Sequence, residues 1–191
     1  MITVRRLHAY EYSKYAAYMN ERSVESRRMY FGYTPSPEFI CNFVDKMTTP
    51  NDVIVVAENE QLEIVGTVHI ASMGDDKVEL GVMVHEDYRQ KGISSKMMSF
   101  AMLWCKNRGL HQVYMHCLAY NAPIIHLVQK FGLEVRKEGT EADSYITLPR
   151  TTPMDQIEET ITRNMSTYYR NKNQVINTFN TFTKLLVPSL P

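Results

Sequence analysis

Apolar residues recur at two periods along this chain, and the switches between them draw its elements. Ile2 to Leu7 reads as a first strand. Tyr10 to Glu21 reads as a helix with Tyr15, Tyr18 and Met19 near one face, and Ser23 to Gly32 as a short helical piece. Ser36-Pro37-Glu38 is a helix start, and that helix runs to about Lys46. Strands are expected at Asp52–Glu58 and Gln61–Ala71, joined by a tight turn at Asn59-Glu60, with a further turn at Ser72–Asp76. An apolar strand, Val78 to Val84, leads through a short loop into a helix with Ile93, Met97, Phe100, Ala101 and Trp104 at helical spacing. That helix stops at Asn107-Arg108-Gly109, with Gly109 suited to the position after its last turn. A strand at His111–Cys117, a helix after Asn121-Ala122-Pro123, and strands at Leu133–Glu138 and Ser144–Pro149, split by Gly139–Ala142, complete the domain. The pattern predicts an α+β domain over residues 1–150, built around a mixed sheet.

Residues 151–191 shift in composition. Thr152-Pro153 is a helix start, the hydroxyl capping and the proline in the first turn. Ile157, Ile161 and Met165 recur every four residues, followed by Tyr168, Tyr169, Ile176, Phe179, Phe182 and Leu186. A long amphipathic helix is expected, with a break near Asn171-Lys172-Asn173. Its apolar stripe is too long to leave in water. It can dock on its own domain, dock on a second copy to give a homodimer, or cover the acceptor cleft.

The most informative stretch is Arg89-Gln90-Lys91-Gly92-Ile93-Ser94. A strand, a loop with one glycine and a helix start gather free backbone N–H groups at one point, and the helix dipole adds partial positive charge there. Such a loop is built to hold phosphate oxygens, and Gly92 lets them approach the backbone. It is not a nucleotide P-loop, because no Gly-Lys-Ser/Thr follows at the required spacing. Nor is it a dinucleotide fingerprint, which needs three glycines.

The loop, Arg89-x-x-Gly92-x-Ser94, resembles the pyrophosphate loop Arg/Gln-x-x-Gly-x-Gly/Ala of the GCN5-related N-acetyltransferases, the GNAT family, with serine at the last small position. The later block, Asn121 and then a helix leading to Lys130-x-Gly132-Leu133, is similar to that family's Asn, short helix and Lys-x-Gly-Phe, with leucine for phenylalanine. Ser23-Val24-Glu25-Ser26-Arg27-Arg28-Met29-Tyr30-Phe31 and Asn121-Ala122-Pro123-Ile124 resemble segments of the bacterial Pat-type protein lysine acetyltransferases. The likeness runs from residue 2 to 149. It implies the GNAT fold, a mostly antiparallel mixed sheet flanked by helices, here with a C-terminal helical extension.

The resemblance also implies chemistry. Acetyl-CoA would be the co-substrate, and the acceptor an amine, either a protein lysine or a small molecule. An amine near pKa 10.4 arrives protonated and must lose a proton before it can attack a thioester. The group assigned as base stands thirteen residues before the loop glycine, which is Glu79 relative to Gly92. The strand holding it is expected to carry a bulge and to splay from its neighbour, so that Val82, Met83 and Val84 pair with the pantetheine arm as with an added strand. The N–H groups of Gln90, Lys91, Gly92, Ile93, Ser94 and Ser95 would hold the pyrophosphate. Arg89 and Lys91 are either phosphate partners or solvated loop charges, and Asn121 either contacts the cofactor or caps its helix. Many members carry a tyrosine two residues before Lys130 that protonates the leaving thiolate. Here Val128 stands there, leaving water, Tyr120 or His126 as proton sources. A non-catalytic acyl-CoA-binding regulatory module is the reading outside enzymes.

Composition narrows the partners. Of 191 residues, 21 are basic and 21 acidic, so no electrostatic footprint for nucleic acid or an anionic membrane is expected. No apolar run approaches the roughly 20 residues of a membrane span, and the N-terminus lacks a signal-peptide layout. Cys41, Cys105 and Cys117, with no Cys-x-x-Cys, argue against a disulfide framework and a zinc site. Cys41 and Cys105 are expected as small buried hydrophobes. A cytoplasmic setting fits these features.

Overall fold

The computed structural model describes residues 1–47 and 51–186, with side chains described as far as Thr183. The final residues of the extension, 187–191, and the Leu186 side chain lie outside this range. Seven strands form one sheet: β1 (Thr3–Arg6), β2 (Asp52–Glu58), β3 (Ile64–Gly74), β4 (Lys77–Val84), β5 (Gln112–Leu118), β6 (Glu134–Glu138) and β7 (Glu141–Thr147), in the order β1-β2-β3-β4-β5-β7-β6. Every neighbouring pair is antiparallel except β4–β5. Six helices accompany them: α1 (Tyr12–Asn20), α2 (Val24–Phe31), α3 (Pro37–Asp45), α4 (Ile93–Lys106), α5 (Ala122–Lys130) and α6 (Pro153–Leu186). The expected α+β architecture is the one observed.

Turn chemistry moves several boundaries. The turn at Ser72–Asp76 shrinks to Asp75-Asp76, because Gly74 and Asp75 both take the left-handed region and close a tight hairpin. Strand β3 starts later than Gln61 because Asn59 Oδ1 accepts from the Gln61 and Glu63 amides, at 3.0 and 2.9 Å, and winds residues 60–63 into a loop. Strand β7 begins at Glu141 rather than Ser144, since Gly139 at φ 60° needs only Thr140 beside it to turn the chain.

Alternation along β2 shows how the core divides. Val53, Val55 and Ala57 face α4 and α5, where Met97, Met98, Ala101 and Val128 are fully buried. Ile54 and Val56 face α1 and α3, against Tyr15, Met19 and Ile40. A strand covered on both faces reads as an unbroken apolar run, here Val53 to Ala57. Cys105 is buried, and its thiol is pushed up to about 12 by that burial. Cys41 is exposed, contrary to expectation, because it lies on the outer side of α3.

Strand β4 divides the sheet. It pairs with β5 only through Lys77↔Gln112, Val78↔Val113 and Glu79↔Tyr114. Beyond Glu79 the strands part, β4 staying with β3 to Val84 and β5 with β7 to Leu118. The expected bulge is absent: pairing with β3 runs without a shift from Val78 to Val84, and the only irregularity lies between Ser72 and Gly74. The splay comes from divergence of two strands, each held by its other neighbour.

Helix α6 is continuous across Asn171–Asn173, against the expected break. Thr152 starts it: its Oγ1 accepts from the Asp155 amide at 3.3 Å and its own amide donates to Asp155 Oδ2 at 2.7 Å. The helix lies along β1 and α4. At its middle, Arg170 sits 3.3 Å from Glu58 Oε2 and 3.7 Å from Glu11 Oε1. Those carboxylates are almost fully buried and share Arg5, which donates to Glu11 at 2.8 and 3.0 Å and to Glu58 at 2.6 and 3.0 Å. Burial works against the Glu11 charge, and hydrogen bonds from Arg5, Lys14 and the His8 amide outweigh it, drawing its pKa down to about 2.

Removing one member of a buried ion network leaves the others uncompensated, at about 3–5 kcal/mol. Arg5→Leu is therefore expected to destabilise the fold by about that amount at pH 7 in urea unfolding. Glu11 has a lowered folded pKa, so its contribution is fully present above the ordinary 4.5 and is lost as pH falls towards 2. In the variant Glu11 can protonate near its ordinary value, so the gap to wild type should narrow below pH 4.5. A gap constant from pH 7 to pH 3 would contradict this account.

Candidate active site

The loop after β4 is shaped by two left-handed residues, Gln90 at φ 60° and Gly92 at φ 73°. A non-glycine residue there is strained, and such strain clusters where a backbone must present its groups in one direction. The first helical hydrogen bond of α4 is Lys96 N–H to the Gly92 carbonyl, at 3.1 Å. The first-turn amides of Ile93, Ser94 and Ser95 therefore have no acceptor within the helix. A methyl group at Gly92 would meet nothing within 4 Å, so the space in front of the loop is open.

A cleft of about 240 Å³ opens from this loop along β4. Val82, Met83, Val84, Arg89, Gln90, Ile93, Ser94 and Asn121 all line it. Lys91, Gly92 and Ser95 do not. The Lys91 ammonium donates to the Asp87 carbonyl at 2.8 Å and lies 5.0 Å over the Tyr88 ring. Ser95 Oγ accepts from Lys130 at 3.1 Å, tying α4 to the end of α5. Asn121 is buried at the start of α5 but makes no side-chain cap there. It lines the cleft instead.

One wall comes from α2, whose Ser26, Met29 and Tyr30 were not singled out as cleft residues from sequence. Ser23 caps this helix by accepting from the Ser26 amide at 3.1 Å. Glu86, just after β4, accepts from the Ser23 amide at 3.0 Å, from Arg22 at 3.2 Å and from the Ser26 hydroxyl. Arg89 then donates to Ser26 Oγ at 2.7 Å. Burial opposes the Glu86 charge, and these bonds hold its carboxyl well below the usual range. These bonds tie the loop after β4 to α2.

Tyr30 stands over Gly81, where any side chain would collide with its hydroxyl. That hydroxyl lies 3.1 Å from Tyr15 Oη. Burial, helped by the Glu79 charge, pushes Tyr30 up to about 12. Deeper in, His69 is hydrogen-bonded to Asp52 at 2.8 Å, and burial lowers its pKa against that carboxylate. Glu79 shares the Gly81–Met83 side of β4 by alternation. It is exposed and does not line the cleft; it lines a separate open depression with its register partner Tyr114 and with His116, Arg136, Asp143 and Tyr145. Val128 is buried in the core, and Tyr120 and His126 are exposed and do not line the cleft. The tyrosines that do are Tyr30 and Tyr88.

The sequence matches the acetyltransferase (GNAT) family over residues 17–133. That is more than half of the chain, which therefore belongs to this family. Its members use acetyl-CoA as co-substrate. The fold is similar to the GNAT domain of PAT from S. lividans, with TM-score 0.65 and 17% identity, covering 76% of this chain and 89% of that one. It is also similar to spermidine N-acetyltransferase from Vibrio cholerae, solved with CoA and spermine, with TM-score 0.62 and 17% identity over 76% of this chain and 95% of that one. A protein of Methanocaldococcus jannaschii described as uncharacterized is 28% identical over 90 residues, 47% of this chain and 19% of that relative's length.

Any residue with a Cβ at Gly92 is strained by roughly 1–2 kcal/mol in the left-handed region and narrows the approach to the loop amides. Gly92→Gln should lower the unliganded melting temperature only slightly. It should abolish the stabilisation by acetyl-CoA, which at 100 times Kd is worth about 2.7 kcal/mol in the wild type. A full ligand shift in the variant would remove the loop from the binding site.

Proposed function

We propose that this family member transfers the acetyl group of acetyl-CoA to a primary amine by direct attack, with Glu79 as general base. The observation that carries this reading is the position of Glu79, the last residue of β4 paired to β5 before the strands part. A cofactor arm laid along Val82, Met83 and Val84, as an added strand, ends beside it. Acetyl-CoA supplies an activated acetyl group as a thioester. Glu79 takes the proton that the acceptor ammonium must lose, and the freed nitrogen lone pair forms the C–N bond as the C–S bond breaks. The loop amides of residues 90–95 hold the pyrophosphate at the α4 N-terminus, and Asn121 offers its amide to the cofactor from the facing side. Tyr30 remains protonated at neutral pH, with its pKa near 12, and lines the cleft on the Glu79 side of β4. We assign it to protonating the leaving thiolate, in place of the residue missing at Val128.

The acceptor we favour is a lysine on a protein. The α2 segment that resembles Pat-type enzymes builds one cleft wall, and Glu79 opens onto an exposed depression rather than an enclosed pocket. A small amine is the second reading, favoured by the acidic Glu79, Glu138 and Asp143 around the same depression. Free cysteines and the absence, among the described residues, of any helix long and apolar enough to cross a membrane support a cytoplasmic setting. Labelled acetyl-CoA offered with a panel of proteins and free amines separates the acceptors.

Glu79→Gln keeps size and removes basicity. Turnover should fall roughly 10²-fold, the usual scale for loss of a general base, while the acetyl-CoA melting shift stays near wild type. Wild-type turnover at pH 7 would place the base elsewhere.

A further inference from the structure

Helix α6 is docked the wrong way round for a helix that merely covers its own domain. Its polar side chains make the contact: Asp155 to Lys106 at 2.7 Å, Glu159 to Arg108 at 2.9 Å and Asn107 at 2.7 Å, Ser166 to the Val4 carbonyl at 2.6 Å, and Asn177 to the Glu60 carbonyl at 2.9 Å. The apolar stripe faces out, with Ile161 57%, Tyr168 63%, Val175 69% and Phe179 64% exposed. It lies away from the acetyl-CoA cleft, so the helix does not cover the acceptor. Nine large apolar side chains, from Met154 to Phe182, stand exposed along it. Together they offer on the order of 900 Å² of apolar surface, above the ~300–600 Å² of the largest patch on a typical monomer and close to the ~800 Å² each partner gives a standard interface.

The spacing of this stripe names its partner. Ile161, Met165, Tyr168, Lys172, Val175, Phe179, Phe182 and Leu186 follow one another in strictly alternating steps of four and three. An apolar repeat of 3.5 residues is matched to another helix in a left-handed coiled coil, whereas a helix on a globular domain follows 3.6. The helix is also unlike one that lies on a membrane, since its flanks carry Asn164, Asn171, Gln174, Thr178 and Asn180 rather than a run of lysines and arginines.

We infer that two copies of this chain associate through α6 as an antiparallel coiled coil. Lys172 sets the direction. In a parallel pair it would face its own copy, placing two ammonium groups in one apolar layer. In an antiparallel pair with the two-fold axis near residue 170, Lys172 meets Tyr168 of the partner subunit, and its ammonium can lie on the ring face. The same axis brings Ile161 against Phe179 of the partner subunit and Met165 against Val175 of the partner subunit, so every described position of the repeat from Ile161 to Val175 finds a complement. The two domains end up on opposite outer sides of the helix pair, and both acetyl-CoA clefts stay open.

Sedimentation of the full chain over a wide range of concentration should give the mass of two chains. Ile161→Glu with Phe179→Glu alters only exposed positions, so helicity and the acetyl-CoA melting shift should persist while the mass falls to one chain. With exposed Cys41 replaced by serine, oxidising a mixture of the Tyr168→Cys and Lys172→Cys variants should cross-link one to the other, and Lys172→Cys alone should not cross-link. A single-chain mass for the wild type would overturn the proposal, as would a dimer that survives the double glutamate variant. Cross-linking of Lys172→Cys with itself would overturn the antiparallel arrangement.

Discussion

Everything in the candidate site depends on two strands ceasing to pair. Backbone N–H and C=O groups inside a sheet must find partners, and β4 loses its neighbour on one side after Glu79. Nothing in the pairing of β4 with β3 requires this, since that register continues to Val84. The separation persists because β5 is committed to β7 as far as Leu118, so closing the gap would cost one ladder to gain another. A row of backbone groups on β4 is therefore held ready for an extended ligand, beside a loop whose amides are held ready for an anion. Both halves of the cleft are satisfied best by one molecule with an extended arm and a phosphate end.

The other wall is held by charge rather than by packing. Glu86 accepts hydrogen bonds from Arg22, from the Ser23 amide and from the Ser26 hydroxyl, and Ser26 in turn accepts from Arg89. A carboxylate so provided for stays ionised, so the clamp between α2 and the loop after β4 does not loosen near neutral pH. It also fixes the rotation of α2, and with it the place of Tyr30 over Gly81. Gly81 has no side chain because that hydroxyl occupies the space. In the proposed mechanism this neutral hydroxyl, two residues along β4 from the Glu79 carboxylate, is the acid that answers the base.

Much of this could be read from the chain alone, for a physical reason. The strand, glycine loop and helix start are consecutive in sequence, so periodicity and one glycine reveal them, and Val82, Met83, Val84, Arg89, Gln90, Ile93 and Ser94 fall together along the cleft. The partners of that segment are far away in sequence. Tyr30 lies about fifty residues from Gly81, and no local pattern says which face of α2 it takes. Tyr120, just before α5, and His126, on its outer side, are near Val128 in sequence, yet both are exposed. The bulge expected by resemblance is replaced by strand divergence, which depends on the pairing of β5 with β7 and leaves no mark within β4. Turn boundaries shifted where Asn59 wound a longer loop, and where Asp75 and Gly139 closed tighter turns, than composition suggests.

Helix α6 shows how an amphipathic pattern can mislead about direction. An apolar stripe predicts burial but does not say against what, and the first assumption is the helix's own domain. Here the domain offers Lys106, Arg108, the carboxylates of Glu11 and Glu58, and backbone carbonyls at the edge of β1, all of which call for polar partners. Apolar side chains laid there would strip water from these groups without replacing its hydrogen bonds, at roughly 1–3 kcal/mol for each one left unsatisfied. Asp155, Glu159, Ser166 and Arg170 meet that demand, and the helix turns its polar side inwards. The apolar side then faces away from the domain as a direct consequence of satisfying the ionic one. Two constraints on one helix, a polar lattice beneath and a 3.5-residue repeat above, are met together only when something apolar and helical lies on its outer face.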